Sequence, residues 1–312
     1  MNKILIYRNC SMGDFIVALP AVNIIKNINP NSKIYFASQI SKKNAFVRPD
    51  TIPINKKIID EFIFFEYGKI NFFNFCKTIK KKNFCKIYYL NSFSSKIKLL
   101  RDYFIFSLVG IKNKIGFKYQ KLIYEKFNET YYLCKRVKKK LNDKDVLVEG
   151  YLIYKKNNNN KKYITISFGG KHPLKKWKLK NWEKLILYLT SSIPKIKILI
   201  VGSLNEYKFA EKLSKKKPKT IINLCNKTSI KQLVQVIGQS SYHISHDDGT
   251  MHIASTFSKK SVSIFGKSTA AKGKWFPRNP NLKIFYKDKV NDINLSIVKK
   301  KVLKDIKSIY KS

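Results

Sequence analysis

Acidic residues are scarce in this chain, which has 19 Asp and Glu against 64 Lys and Arg and a formal net charge of +45. Such an excess of positive charge attracts nucleic acid, polyphosphates and anionic membrane surfaces through a long-range field. Lys is, however, abundant together with Ile, Asn, Phe and Tyr, which is typical of a genome-wide bias that places Lys at exposed positions. We therefore do not expect a specific nucleic-acid partner.

Disulfide, zinc-binding and membrane-spanning patterns are also missing. The five cysteines are dispersed without a CxxC pair, which indicates free thiols in a reducing compartment. No apolar run reaches the ~20 residues of a transmembrane helix, and the nearest is 103–111. The apolar run 4–7 is too short for a signal peptide. These observations predict a cytoplasmic protein, and attachment to a membrane surface remains open.

The chain does contain strands and helices in alternation. Its 312 residues, 44% of them hydrophobic, are enough for two domains with ordinary cores. The short apolar run at 3–7 predicts a buried parallel strand, which a loop at 9–14 and a helix at 15–28 follow. Further strands are predicted at 33–37, 62–66 and 86–90, with helices near 70–81 and 94–108. This alternation predicts an α/β fold with a parallel sheet covered on both faces.

A polar run at 155–162, KKNNNNKK, has no apolar residue to bury and predicts a linker between domains. A second series of predicted strands (163–168, 197–201, 220–224, 242–245 and 261–265) and helices (181–191, 205–215, 229–238 and 250–257) follows it. We predict an N-terminal domain at 1–156 and a C-terminal domain at 157–290, with a ligand cleft between them. A C-terminal helix at 291–312 is expected to pack back toward the N-terminal domain.

The loop after the first strand, Ser11-Met12-Gly13-Asp14, places a carboxylate at the start of a helix. By default such an Asp is an N-cap that accepts the first free N–H groups of the helix, worth ~1 kcal/mol. The functional alternative for Asp14 is a general base, which contributes roughly 10²–10⁴-fold to a rate. Position alone favours the N-cap.

Two later segments carry features of an anion site. In 168–177, FGGKHPLKKW, glycines permit close backbone approach and clustered Lys side chains can neutralise phosphate, whereas Trp177 and Trp182 are expected to pack in the core. In 246–252, HDDGTMH, a strand ends and a helix begins. Adjacent acids without a third ligand do not indicate a metal site, and a phosphate nest is predicted instead at Gly249, Thr250 and Met251. His252 either donates to phosphate or caps and packs.

Five blocks follow one another along the chain: ILIYRNCSMGDFIVALPAV, GGKHPLKKWKLKNWEKLI, ILIVGSLNEYKFAEKL, NLCNKTSIKQLVQVI and HISHDDGTMHIASTFSKKSVSIFGKS. In this order they resemble glycosyltransferase family 9, the heptosyltransferases of lipopolysaccharide core assembly. The resemblance covers the first strand and helix and nearly all of the second domain, and little of residues 40–145. It implies the GT-B fold, in which two Rossmann-like domains with parallel sheets face each other across a cleft.

The resemblance also implies a function: inverting, metal-independent transfer of a sugar, with heptose from an ADP-heptose-like donor favoured. Asp14 would deprotonate the acceptor hydroxyl, Lys175 would contact the donor phosphate and sugar, and Asp247 would contact the donor sugar. The implied positions for the diphosphate, ribose and base are Gly249, Thr250, Met251, His252, Glu206 and Thr228. No cofactor is expected. The expected partners are an ADP-sugar and a glycan or glycolipid acceptor, and the basic surface could help the protein dock on the anionic inner membrane.

Three residues depart from the family pattern. Asp248 stands where the family commonly has Ser or Thr, and Lys171 and His172 replace small polar residues. A second carboxylate beside a diphosphate repels it unless a Lys compensates or the side chain turns away. Two other functions remain as alternatives: a sugar-nucleotide epimerase or hydrolase of the same fold, and a non-enzymatic protein that binds polyanions or RNA.

Overall fold

The computed structural model describes residues 1–40, 47–54, 57–66, 68–91, 95–118, 128–156, 162–170, 175–267 and 272–311. The chain divides into two compact units, Met1–Tyr151 and Leu152–Ser312. Each unit is built on one parallel sheet with helices packed against it. The predicted α/β class is therefore confirmed.

The described residues of the first unit form five strands: β1 (Lys3–Tyr7), β2 (Lys33–Ile40), β3 (Glu61–Glu66), β4 (Lys86–Tyr89) and β5 (Asn113–Ile115). Its helices are α1 (Met12–Ile28), α2 (Lys69–Lys82), α3 (Lys96–Leu108) and α4 (Glu129–Val137). The strand order is β3-β2-β1-β4-β5, and every pairing is parallel. Strand β1 lies at the centre, which explains why it is apolar at nearly every position.

Alternate side chains of β1 enter two different layers of the first unit. Leu5 and Tyr7 join the core that includes Phe75 of α2 and Phe106 of α3. On the other face of the sheet α1 packs against α4. Since successive strand residues point to opposite faces, an uninterrupted apolar strand supplies both layers at once.

In the described part of the second unit there are six strands: β6 (Ile164–Ser167), β7 (Ile198–Ile200), β8 (Ile221–Asn223), β9 (Tyr242–His246), β10 (Ser261–Gly266) and β11 (Leu282–Lys287). Its helices are α5 (Leu179–Ser192), α6 (Leu204–Lys216), α7 (Ile230–Gln239), α8 (Gly249–Thr256) and α9 (Leu295–Lys311). The order is β8-β7-β6-β9-β10-β11, again all parallel, which is the strand order of a Rossmann fold.

The C-terminal helix α9 completes the core of the second unit. Val298, Val302 and Ile306 are fully buried in that core, and α9 packs against α5. The Tyr242 hydroxyl donates to Asp305 at 2.7 Å, which fixes the helix to β9. The apolar stripe of α9 thus packs within the second unit, and its predicted packing toward the N-terminal domain stays a prediction.

Most predicted elements are present with bounds within a few residues, and three elements were not predicted: β5, α4 and β11. The segment 152–156 belongs to the second unit because Tyr154 packs on Phe257, with 4.7 Å between ring centroids, and the Lys155 N–H donates to Gln235 at 2.9 Å. Most of the predicted linker, 157–161, lies outside the described residues.

Candidate active site

Each sheet has one point where the strand order reverses, and the candidate residues lie at these two points. In the first sheet β1 has β2 on one side and β4 on the other, and in the second sheet β6 lies between β7 and β9. Loops at the carboxyl ends of such strands diverge to opposite faces and leave a crevice that binds ligands. Asp14 follows β1, and the segment 246–252 begins at the end of β9.

Asp14 lies in the first turn of α1, but it is not the N-cap. Ser11 occupies that position, and Asp14 is three residues further on. Its Oδ2 accepts hydrogen bonds from the Ser11 N–H at 3.1 Å and from the Ser11 hydroxyl at 2.6 Å. The default N-cap interpretation was therefore wrong by three residues. Within the described part of the chain no hydrogen bond reaches Oδ1, so this oxygen is available to a substrate hydroxyl.

A buried ion pair that the sequence interpretation missed supports this loop. Arg8, directly after β1, donates to the Glu129 carboxylate at 3.1 Å, and both side chains are 1% exposed. The same guanidinium donates to the Leu90 carbonyl at 2.5 Å and the Asp14 carbonyl at 3.3 Å. Burial acts to lower the pKa of Arg8, but the Glu129 and Asp14 carboxylates raise it above its usual range. Arg8 therefore stays charged and joins β1, β4, α1 and α4.

A cavity of about 630 Å³ opens in the first unit between α2 and α3. Its lining includes three aromatic residues, Phe65, Phe72 and Tyr89, and three residues at strand ends that have side-chain amides: Asn9, Gln39 and Asn91. Lys69, Lys98 and Arg101 also line it. Aromatic, amide and cationic side chains together suit a sugar that carries a negative charge.

In the second unit His246 joins the end of β9 to the segment after β6. Its Nε2 accepts from the Trp177 N–H and from the Trp182 indole N–H, both at 3.0 Å. Nδ1 must therefore carry the proton that is donated to the Gly169 carbonyl at 3.0 Å. Burial lowers the pKa of His246 to about 4, so the ring is neutral. Both tryptophans are buried in the core, as predicted.

Lys175 and Asp247, two of the predicted donor-binding residues, form an ion pair in the structure. The Lys175 Nζ lies 2.5 Å from Asp247 Oδ2, and the two side chains are 19% and 7% exposed. The segment that contains Lys175 follows β6, whereas Asp247 directly follows β9, so the pair spans the point of strand reversal. A shielded cation and a carboxylate are thus held side by side at this edge.

Asp248 is the N-cap of α8. Its Oδ1 accepts from the N–H groups of Thr250 and Met251 at 2.8 and 3.1 Å, and from the Thr250 hydroxyl at 2.6 Å. Its Oδ2 accepts from the Ser167 hydroxyl at 2.7 Å. Burial raises the pKa of Asp248 to about 6, although the hydrogen bonds from Thr250 and Ser167 act in the opposite direction.

This geometry modifies the predicted phosphate nest. Two of the three amides assigned to the diphosphate already bind the Asp248 carboxylate, because a short acidic side chain at an N-cap reaches the second and third N–H groups of its helix. The Gly249 N–H has no partner among the described residues. The Asp248 side chain is turned toward its own helix, so its carboxylate occupies the start of α8 where the nest was predicted to hold a phosphate.

A row of hydrogen bonds lies behind the N-cap. Because the Thr250 hydroxyl donates to Asp248, it accepts from His243 Nε2, which lies 3.1 Å away. His243 Nδ1 then accepts from the Thr165 hydroxyl at 2.9 Å. Burial lowers the pKa of His243 to about 3, so this buried ring is neutral and orients Thr250.

The remaining predicted residues are less closely connected to this edge. Glu206 is buried in the first turn of α6, where Oε2 accepts from the Ser203 N–H at 2.9 Å, and its carboxyl group faces Gly169. A Cβ on Gly169 would lie 3.3 Å from the Glu206 Cδ, so glycine permits this close approach.

His252 is buried in α8. Thr228 is half-buried before α7, with no hydrogen bond to the other site residues in the described ranges. Lys171 and His172 lie outside the described residues.

The described residues contain no cluster of three or more His, Cys, Asp or Glu side chains arranged to hold a metal ion. None of the helices described has both the length and the apolar character that crossing a membrane requires.

Comparisons with known proteins agree with this fold. The chain is 28% identical over 302 residues to Lipooligosaccharide heptosyltransferase 2 of Campylobacter jejuni subsp. jejuni serotype O:6. The alignment covers 92% of this chain and 88% of that protein. It resembles the solved structure of a glycosyl transferase family 9 protein from Veillonella parvula DSM 2008 (TM-score 0.76, 13% identity, 99% and 97% of the two chains covered). It also resembles E. coli ADP-heptose lps heptosyltransferase II (TM-score 0.68, 15% identity, 98% of each chain covered).

The structural similarities confirm the predicted GT-B fold. The sequence model of Glycosyltransferase family 9 (heptosyltransferase) matches residues 105–303, which is more than half of the chain. The chain belongs to glycosyltransferase family 9, the heptosyltransferase family.

Proposed function

We propose that this enzyme transfers heptose from an ADP-heptose-like donor to a sugar of the lipooligosaccharide or lipopolysaccharide core, with inversion and without a metal ion. The observation that carries the proposal is the Lys175–Asp247 pair at the strand reversal of the second sheet, beside the start of α8. A cation and a helix N-terminus suit a diphosphate, and a carboxylate suits the hydroxyl groups of a sugar.

The comparisons support this choice of donor and acceptor. One relative is named a lipooligosaccharide heptosyltransferase, and one similar structure is named an ADP-heptose heptosyltransferase. Family membership makes the chain a glycosyltransferase and sets aside the epimerase, hydrolase and polyanion-binding alternatives.

The donor residues would act on the leaving group. Transfer from a nucleotide sugar builds negative charge on the departing diphosphate, and groups that bind this charge more strongly as it develops lower the barrier. The Lys175 ammonium and the Gly249 N–H would supply such contacts. The Asp247 carboxylate would keep Lys175 in place and accept hydrogen bonds from the donor sugar.

Asp14 would act on the nucleophile. Its Oδ2 is held by Ser11, so the carboxylate is oriented before substrate binds. The available Oδ1 would take the proton of the acceptor hydroxyl as the hydroxyl oxygen forms a bond to the anomeric carbon and the carbon–phosphate oxygen bond breaks. A single displacement of this kind inverts the anomeric configuration.

Thermal denaturation with a panel of ADP-, UDP- and GDP-sugars in EDTA tests the donor assignment. A ligand present at about a hundred times its Kd stabilises the folded state by about 2.7 kcal/mol, so ADP-heptose should raise the Tm by several degrees. The rise in Tm should be the same with and without EDTA. The proposal fails if no nucleotide sugar raises the Tm, or if the rise requires a divalent cation.

A further inference from the structure

Helix α3 has two apolar faces, which is unusual for a helix on the surface of a protein. One face, with Leu99 and Phe106, is buried in the core of the first unit. A second face carries Ile97, Leu100, Phe104 and Leu108, which are between 57% and 81% exposed. Their spacing of three, four and four residues places them in one stripe. A surface helix ordinarily needs one such stripe, so the second requires its own explanation.

The neighbouring helix α2 extends the exposed apolar surface. Ile70 and Phe73 are 77% and 59% exposed. Both helices pack on the same face of the sheet and line the cavity between them. We call these six residues the α2–α3 apolar face: Ile70, Phe73, Ile97, Leu100, Phe104 and Leu108.

The two helices that carry the α2–α3 apolar face are rich in cations. Helix α2 contains five Lys and no acidic residue, and α3 contains two Lys, Arg101 and one acidic residue, Asp102. Asp102 is 7% exposed and accepts from the Tyr89 hydroxyl at 2.8 Å and from Arg101 at 2.6 Å. It therefore offsets the charge of Arg101 and leaves the Lys side chains of the two helices. The Lys77 ammonium lies 4.7 Å from the centre of the Phe73 ring, so a cation stands directly beside an exposed apolar group.

We propose that the α2–α3 apolar face docks on an anionic phospholipid bilayer. Apolar side chains interleaved with Lys and Arg enter the boundary between headgroups and acyl chains while the cations contact acidic headgroups. Each cation near an anionic membrane strengthens binding roughly fivefold. A second copy of the chain fits this surface poorly, because a symmetric dimer would bring the same set of cations together.

Docking through the α2–α3 apolar face would also bring the cavity of the first unit close to the bilayer. The cavity lies between the two helices that would touch the bilayer, and Lys69, Lys98 and Arg101 form part of its lining. A sugar attached to a membrane lipid would then enter the cavity without its lipid leaving the bilayer. The inference rests on the proposed function in this respect, since only a glycolipid acceptor gives the enzyme a reason to dock.

Flotation of the full chain with lipid vesicles tests the proposal. The purified protein should float with vesicles of phosphatidylethanolamine and phosphatidylglycerol, less so as salt rises, and much less with phosphatidylcholine vesicles. The double variant Leu100→Gln/Phe104→Gln should lower the partition coefficient by at least about tenfold. The matched control is Leu204→Gln/Ile297→Gln, which replaces two exposed helical residues of the second unit, 66% and 58% exposed. It should bind within about twofold of the original chain.

The outcomes separate this proposal from the donor assignment. Circular dichroism and the Tm rise with ADP-heptose should be the same in the Leu100→Gln/Phe104→Gln variant and the original chain, which shows that the variant folds. Docking is overturned if the original chain does not float with anionic vesicles, or if the variant floats equally well. It is also overturned if sedimentation shows a dimer that the variant loses. If no nucleotide sugar raises the Tm, the proposed function fails and flotation still decides the docking.

Discussion

Replacing Asp248 with Asn should strengthen donor binding, and the gain should grow with pH. The Asp248 carboxylate accepts the N–H groups of Thr250 and Met251, which are the amides that a diphosphate would otherwise use. When ionised it also repels the diphosphate. Asn has nearly the same shape and keeps one oxygen acceptor, but it carries no charge.

The size of the effect follows from the titration of this group. Burial raises the pKa of Asp248 to about 6, so the carboxylate is ionised at pH 8 and mostly protonated at pH 5. A bound diphosphate raises this pKa further, and binding above pH 6 therefore takes up a proton. The affinity for the donor should fall by up to about tenfold per pH unit above pH 6. At pH 8 this amounts to a loss of about 2.7 kcal/mol of binding free energy relative to pH 6.

Other charged groups at this edge should not produce the same dependence. Burial lowers the pKa values of His243 and His246 to about 3 and 4, so both rings stay neutral between pH 5 and 8. Lys175 is paired with Asp247 and is separate from the Asp248 hydrogen-bond network. The pH dependence should therefore disappear when Asp248 alone is replaced.

Isothermal titration calorimetry with ADP-heptose at several pH values, in two buffers of different ionisation enthalpy, measures affinity and proton uptake together. ADP-heptose is preferable to ADP because its diphosphate is esterified at both ends, whereas the terminal phosphate of ADP titrates near pH ~6. Asp292→Asn, which removes an exposed carboxylate of the same unit, is the control. The reasoning would be refuted if the affinity for ADP-heptose changed equally with pH in the original chain and in Asp248→Asn. Weaker binding of ADP-heptose by the Asn variant at pH 8 would also refute it.

Two further substitutions test the ion pairs. Lys175→Met should lower kcat/KM for ADP-heptose roughly 10- to 100-fold, since it removes a charge-assisted contact to the departing diphosphate and leaves the Asp247 carboxylate without this cation. An unchanged kcat/KM in steady-state kinetics contradicts the donor assignment. Arg8→Met should lower the free energy of unfolding in urea by roughly 3–5 kcal/mol because the buried Glu129 carboxylate then loses the guanidinium that lies 3.1 Å from it. The double variant Arg8→Met/Glu129→Gln should recover much of this loss, and no recovery would show that the pair is not the cause.

Local sequence signals predicted the central elements well. Strand β1 is an apolar run, and strand β9 ends, like β1, at a polar or glycine-containing loop. These endings also predicted where the candidate residues lie. Edge strands were harder to predict. Strand β5 has three residues and β11 is only partly buried, so neither has the apolar run of a central strand.

Contacts between distant parts of the chain could not be predicted. Arg8 and Glu129 are 121 residues apart in sequence, and nothing near Glu129 indicates a buried partner. Arg8 itself offered a signal, since a charged residue directly after a fully apolar strand must find a partner at the carboxyl edge. One of the four hydrogen bonds to the Asp248 carboxylate comes from Ser167, which lies on β6. Local sequence therefore indicated the charge of Asp248 but not its orientation.

A comparison of Asp14→Asn with Ser11→Ala tests the central claim most directly. Each substitution weakens the hydrogen bonds at the start of α1 and should cost about 1 kcal/mol of stability. Ser11→Ala removes the hydroxyl donor and keeps the Ser11 N–H, whereas only Asp14→Asn removes the carboxylate. With ADP-heptose and a lipooligosaccharide core acceptor, Asp14→Asn should lower kcat by roughly 10²–10⁴-fold while the donor still raises its Tm. Ser11→Ala should keep kcat within about tenfold of the original chain. Undiminished transfer by Asp14→Asn would contradict the account.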